Sequence, residues 1–173
     1  STANLTGGSY SGVKACGLYV AGGSTVTYSN CSFSGAEGDV VVGGGEYGAG
    51  TVNGNTYDVY TKIQQLSTTD NIEDIITDGG YVTLAPNSNV SLSEALTIAA
   101  TNNITIDLNN NTLTTASTAN ADAEIIVEGK LNIINGTITS NSTALYATGS
   151  GELKLDNCTI NGTNPEAAAV AVS

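Results

Sequence analysis

The sequence predicts an all-β fold, a parallel β-solenoid with coils of about 22–25 residues and one short helix in the middle of the chain. Two observations carry the prediction. An eight-residue pattern recurs at 3–10 (ANLTGGSY), 26–33 (VTYSNCSF), 106–113 (IDLNNNTL), 131–138 (LNIINGTI) and 153–160 (LKLDNCTI). In every copy the first, third and eighth positions are apolar, the fifth is Asn or Gly, and the seventh is Thr or Ser. A second short apolar strand follows each copy, at 18–20, 40–42, 125–127, 145–147 and 170–172. A unit of this length cannot bury its apolar face alone and does so by stacking on its neighbours.

Residues 1–56 read as solenoid coils, 57–80 as a helical insertion or cap, and 81–173 as further coils. Within each copy, period-two alternation places Leu5, Tyr10, Val26, Tyr28, Phe33, Ile106, Leu108, Leu113, Leu131, Ile133, Ile138, Leu153, Leu155 and Ile160 inside. The fifth position is a bend, where Asn tolerates the left-handed conformation and its amide stacks on like amides one coil away. Asn30, Asn110, Asn135 and Asn157 form the expected ladder, facing inward. Cys31 and Cys158 follow it directly and are expected to point outward. The helix is expected over 69–80, with apolar Ile72, Ile75 and Ile76, acidic residues near its start and Gly79-Gly80 after its end. In its longest form it begins at 62–66. Segments 81–84, 90–92 and 96–98 then open the next coil.

Charge narrows the chemistry. Four lysines, no arginine and no histidine face sixteen acidic residues, for a net charge of −12. Histidine-based nucleophilic machinery, histidine metal sites and guanidinium clamps are excluded, and an acidic chain repels the phosphates of a nucleic-acid partner. No cofactor is expected. Carboxylates are the only acid–base groups; Asp107 and Asp156 are the best pair, read in different columns and separated by a coil, with Lys154 the only lysine set in a regular strand. Cys16, Cys31 and Cys158 lack zinc-ligand spacing. Glu37, Asp39, Asp122 and Glu124 fall in loops and offer oxygen ligands for calcium, without the spacing of a known calcium loop. No apolar run approaches the roughly 20 residues of a membrane span, and no signal peptide stands in this form. Nine glycosylation sequons occur. With the ladder asparagines held inward, Asn4, Asn89, Asn103, Asn141 and Asn161 are the expected glycan acceptors.

The helix at 69–80 followed by imperfect and then regular coils resembles the N-terminal capping region of pectate-lyase-like right-handed β-helix proteins, over Tyr57 to about Ile160. That resemblance implies architecture and not activity. The coil register also runs through the ends: counting from Leu153 to Ser173 and on from Ser1 to Ala3 gives a spacing of 23, the same as that between Ala3 and Val26. Head-to-tail continuation is therefore expected, as a ring or a filament, by stacked subunits or by tandem repeats. Its junction would involve Ala3, Leu5, Tyr10, Leu153, Leu155, Ile160, Val170 and Val172. A head-to-tail solenoid with unpaired cysteines resembles the tubular sheath proteins of methanogenic archaea and repetitive adhesin-like surface proteins. The resemblance implies a structural, self-assembling subunit at the cell surface, with Cys31, Cys158 or Cys16 cross-linking subunits. An adhesin or glycan-binding module is the second expectation, and a polysaccharide-degrading enzyme the third.

Overall fold

The structure, a computed structural model, describes residues 1–44, 47–68, 70, 72–73, 80–115 and 123–173. Every element among them is a β-strand. The chain divides into two compact units, one formed by Ser1–Gln65 with Ala85–Asn87, the other by Leu66–Leu84 with Ser88–Ser173.

In the first unit β1 (Thr2–Gly12) and β2 (Leu18–Ala21) make one coil, and β3 (Thr25–Gly35) and β4 (Val40–Gly43) make the next. β1 lies parallel on β3 from Thr2↔Thr25 to Gly12↔Gly35, and β2 lies parallel on β4. The stack then reverses. β5 (Gly50–Val52) pairs in parallel with the start of β3 and turns back into β6 (Asn55–Tyr57), antiparallel to it. Asn53 and Gly54 both have positive φ (47° and 84°), the backbone a two-residue hairpin demands. β7 (Thr61–Leu66) likewise runs antiparallel to β4, with Val40 opposite Ile63. The core gathers Val20, Val26, Tyr28, Phe33, Val40 and Val42. Phe33 stacks on Tyr10 at 5.4 Å and meets the edge of Tyr28 at 4.9 Å.

The second unit is a four-coil solenoid. Its coils are β8 (Gly80–Leu84), β9 (Val90–Ser91) and β10 (Leu96–Ile98); then β11 (Asn103–Asp107), β12 (Thr112–Thr114) and β13 (Ile125–Val127); then β14 (Lys130–Ser140) with β15 (Leu145–Ala147); and β16 (Glu152–Gly162) with β17 (Val170–Val172). All pairings between successive coils are parallel. Inward Ile104, Ile106, Leu113, Leu131, Ile133, Ile138, Ile125 and Leu145 are each at most 2 % exposed and fill the interior. Branched side chains suit this lumen because they stack in register at the strand spacing of about 4.8 Å.

The expected helix needs correction. No helix is among the elements of the described residues. Its proposed extension at 62–66 is strand β7, where Ile63 and Leu66 are buried and Lys62 and Gln64 exposed. That alternation, held in place by pairing with β4, outweighs the local helical signal. Residues 69, 71 and 74–79 of the expected helix lie outside the described residues; of the described ones, Ile72 and Glu73 have helical backbone.

The register also corrects one copy of the repeat. Leu131 pairs with Ile104 and Ile133 with Ile106, whereas Thr137 pairs with Thr112. The coil at β11–β12 thus holds two more residues in its bend than the next coil, so its first half is displaced by two positions from the sequence alignment. Gly136 accommodates the wider bend: a Cβ there would stand 2.4 Å from Leu108 Cβ and 2.7 Å from Asn111 O.

Close approach between turns gives a direct test. A Cβ on Gly129 would lie 2.2 Å from Ala99 O and 2.5 Å from Asn102 O, both backbone atoms, while one on Gly162 meets nothing within 4 Å. Gly129→Ala is expected to lower the stability of this unit by about 1–3 kcal/mol, with Gly162→Ala within about 0.5 kcal/mol of the parent. Urea denaturation followed by circular dichroism measures both.

Candidate functional site

The four long strands share one shape. β1, β3, β14 and β16 each span 11 residues, and the sixth residue of each is left-handed: Gly7 (φ 68°), Asn30 (54°), Asn135 (57°) and Asn157 (53°). Glycine and asparagine occupy this place because other side chains strain there. The left-handed residue turns the strand while its ladder continues on both sides, so Gly8 pairs with Cys31 and Gly136 with Cys158.

Two strands of this shape have an unpaired edge among the described residues. β1 pairs only with β3, and β16 only with β14; in the same coils β2 pairs only with β4, and β17 only with β15. The apolar side chains of these coils show the consequence. Leu5 and Tyr10, and Leu153, Leu155, Ile160 and Val170, are partly buried against their cores, where their equivalents one coil inward are fully buried. Val172 is 76 % exposed and Tyr19 58 %.

The opposite edge of the first unit is covered by side chains. Beyond Val26, where β5 stops pairing, Asn53 Oδ1 accepts the Tyr28 N–H at 2.8 Å. Gln65 Oε1 accepts the Phe33 N–H at 2.7 Å, and Gln65 Nε2 donates to Cys31 O at 3.2 Å. Asp39 Oδ2 holds Gln65 by its own N–H at 2.7 Å. Asn53 and Gln65 thus stand in for the next strand, which prevents another chain from adding there. No side-chain amide or carboxylate does this on the free edges of β1 and β16 among the described residues. In the second unit Asn89 Oδ1 accepts the Thr112 N–H at 2.8 Å inside the stack, where β12 lies between β9 and β14, and Glu73 accepts the N–H groups of Ser93 and Glu94 in the turn between β9 and β10. The bonds to Glu73, the Ser93 N–H foremost, hold its carboxyl below its ordinary range.

The asparagine and cysteine columns face opposite to expectation. Asn30, Asn110 and Asn157 are exposed and Asn135 half-buried. Cys31 is 0 % exposed inside its core, and Cys158 is half-buried with its Sγ donating to Ile133 O at 3.3 Å. A left-handed residue breaks the alternation of faces, so the amide stays outside the corner and the next side chain enters the lumen. Desolvation in this position pushes the Cys158 thiol above its ordinary value. A lateral disulfide from Cys31 would require the core to open; Cys16 is half-buried, and all three cysteines are free.

Amide stacking runs from Asn157 Nδ2 to Asn135 Oδ1 (3.1 Å) and from Asn135 Nδ2 to Asp107 Oδ1 (3.2 Å). Asp107 thus takes the place expected for Asn110, which the two extra bend residues displace. Asn30 lies one coil from Gly7, which has no side chain to stack. Asp107, Ile134 and Asp156 share one column, so the two aspartates are not in different columns as read from sequence; Ile134 stands between them. Asp107 is 8 % exposed and also accepts the Asn109 N–H at 2.9 Å. Both of its hydrogen-bond roles are structural. Lys154 is exposed on the outer face of β16.

Of the loop acids, Glu37 pairs with Lys62 at 3.7 Å, Asp39 holds Gln65, and Asp122 lies outside the described residues. Glu124 is 0 % exposed. Asn4, Asn89, Asn103, Asn141 and Asn161 are exposed, Asn89 with its amide oxygen engaged. Exposure of Asn30, Asn110 and Asn157 removes the steric reason for setting their sequons aside. The blocking residues Asn53 and Gln65 were not legible in the sequence, since each acts once and no repeat column marks it. No helix among the described residues is long and apolar enough to cross a membrane. No protein-family model matches the chain, nor does a curated protein or a solved structure.

Burial raises the Asp107 carboxyl above its ordinary range, the bonds from Asn109 and Asn135 opposing the shift. The folded state therefore favours the protonated acid, and its contribution to stability is full at low pH and falls as pH rises through the raised value. Asp107→Asn keeps the acceptor and removes the charge. It is expected to raise the melting temperature at pH 7 and to flatten its decline between pH 4 and 7, read by calorimetry at several pH values.

Proposed function

We propose that this chain is a structural repeating unit of a β-solenoid polymer at the cell surface, in which β16 and β17 of one unit are continued by β1 and β2 of the next. The carrying observation is the asymmetry of the edges. Edges that would misdirect stacking in the first unit are covered by Asn53 and Gln65, while β16 and β1, each open on its outer side, have the same length and the same left-handed sixth residue. Setting Asn157 beside Gly7 pairs Leu153 with Ala3, Leu155 with Leu5 and Ile160 with Tyr10, and covers every half-buried apolar side chain of the two coils. It also sets Cys158 against Gly8, repeating the Cys31-on-Gly8 and Cys158-on-Gly136 pairings inside each unit. The extracellular setting rests on the acidic, threonine- and asparagine-rich composition and the exposed sequons.

A second reading, a glycan-binding surface module, draws support from a groove on the outer face of β11, β14 and β16 lined by Asn103, Thr105, Lys130, Asn132, Glu152 and Lys154. Parallel stacking repeats polar groups there from coil to coil. It is compatible with the first reading, since a polymer would multiply the groove. A polysaccharide-degrading role draws less support, because Asp107 is engaged in the corner network.

The two faces of the junction can be blocked separately. Leu5→Asp places a charge in one face and Leu153→Asp in the other, and neither variant is expected to assemble by itself. Mixed in equal amounts, they retain one intact face each, so the expected product is a 1:1 dimer and nothing longer, measured by size-exclusion chromatography with light scattering. Unimpaired assembly of either variant sinks the proposal. Thiol labelling at alkaline pH supplies an independent readout: Cys158 should react in the separated unit and be protected in the polymer, with Cys31 protected in both.

A further inference from the structure

The side chain of Glu124 is fully buried, yet the protein does not balance it. The chain has four lysines and no arginine or histidine, and the two ion pairs among the described residues, Lys62–Glu37 and Lys130–Glu152, do not include Glu124. One carboxylate oxygen, Oε2, meets the hydroxyls of Ser140 (2.6 Å) and Thr115. The other, Oε1, is buried and has no hydrogen-bond partner among the described residues. A buried carboxylate with one bare oxygen is strongly disfavoured unless a positive charge or a donor joins it.

The side-chain polar atoms converging there are all oxygens, and two backbone N–H groups join them: Ser142 N–H donates to Ser140 Oγ at 3.0 Å and Thr115 N–H to Thr139 O at 2.9 Å. Ser140 Oγ lies 2.8 Å from Ser142 O, and Thr115 Oγ1 lies 3.3 Å from Thr139 O. Each hydroxyl has a single proton and two acceptors within reach, so it can serve the carboxylate or a carbonyl but not both. A cation removes the conflict, since hydroxyl and carbonyl oxygens then turn their lone pairs to it while the hydroxyl protons turn away. One carboxylate, two hydroxyls and two carbonyls are hard oxygen ligands, the set that calcium-sized cations take and that softer metals do not prefer.

We propose that Glu124, Thr115 and Ser140, with the carbonyls of Thr139 and Ser142, form a structural site for a hard cation of calcium size. Thr115 follows β12, Glu124 precedes β13, and Ser140 ends β14, so the cation fastens two successive coils at one corner of the solenoid. The site is independent of the polymer junction, as none of its residues belongs to β1, β2, β16 or β17.

The experiment is calorimetry on the full chain, stripped with a chelator and then titrated with calcium chloride, with magnesium chloride and sodium chloride at matched ionic strength as controls. Calcium is expected to raise the melting temperature by several degrees, with terbium luminescence reporting direct occupancy and calcium displacing the terbium. Glu124→Gln keeps the shape and removes the charge; it is expected to fold, to melt at the temperature of the chelated parent or above it, and to lose at least tenfold in terbium affinity. Ser140→Ala, which removes one ligand and keeps the carboxylate, should lose affinity by a smaller factor. The proposal is overturned if calcium leaves the parent's melting temperature unchanged, or if Glu124→Gln responds to calcium as the parent does. A buried acid satisfied by a proton alone gives the first of these results.

Discussion

Everything in this molecule depends on parallel main-chain pairing that survives a left-handed corner. A strand that bends normally ends its ladder, and the polar backbone groups at the bend are lost to water or to side chains. In β3, β14 and their neighbours one Asn or Gly at the sixth place takes the turn in a single residue, so both arms stay in register with the coil beneath. The corner also decides which side chains enter the lumen. It puts the amide of Asn135 or Asn157 outside and the thiol of Cys31 or Cys158 inside, and from that inversion follow the stacked amides, the buried cysteines and the glycines that face them.

The same pairing that closes the interior leaves a problem at its ends, and the chain treats its ends unequally. Where the first unit turns antiparallel, amide side chains occupy the backbone donors that a further strand would use. Where the regular coil is exposed, at β1 and β16, nothing comparable stands among the described residues. An uncovered regular coil leaves its backbone donors and acceptors and its half-buried leucines facing water. The low content of positive charge fits this arrangement, since few cations are available for ion pairs and stability rests on burial and on the ladder.

Two buried acids show how little such an interior tolerates charge. Asp107 is accommodated by the Asn109 N–H and the Asn135 amide and is still displaced toward its neutral form. Glu124 has hydroxyls on one oxygen and, among the described residues, no partner on the other. They look alike in the sequence, as single acids in polar stretches. Only their surroundings separate an acid that closes an amide stack from one left with a bare oxygen.

The repeat, the solenoid class, the second strands and most of the lumen residues were legible in the sequence alone, because stacking requires the same residue types at the same place in every coil and therefore writes itself as columns. The three-dimensional structure decided what has no column. It replaced the helical start at 62–66 by β7, since pairing with β4 satisfies the backbone that a short isolated helix leaves to water. It widened the bend before Thr112 by two residues, which an alignment by chemical type could not see because Ile104 and Ile106 both fit the inward place. It reversed the faces of the asparagines and cysteines, because a left-handed residue breaks the two-residue alternation on which a reading of faces depends. It also placed the single-use residues Gln65, Asn53 and Glu124, whose partners lie 34, 25 and 16 residues away along the chain. Contacts of that range arise when the coils close, and no local pattern encodes them.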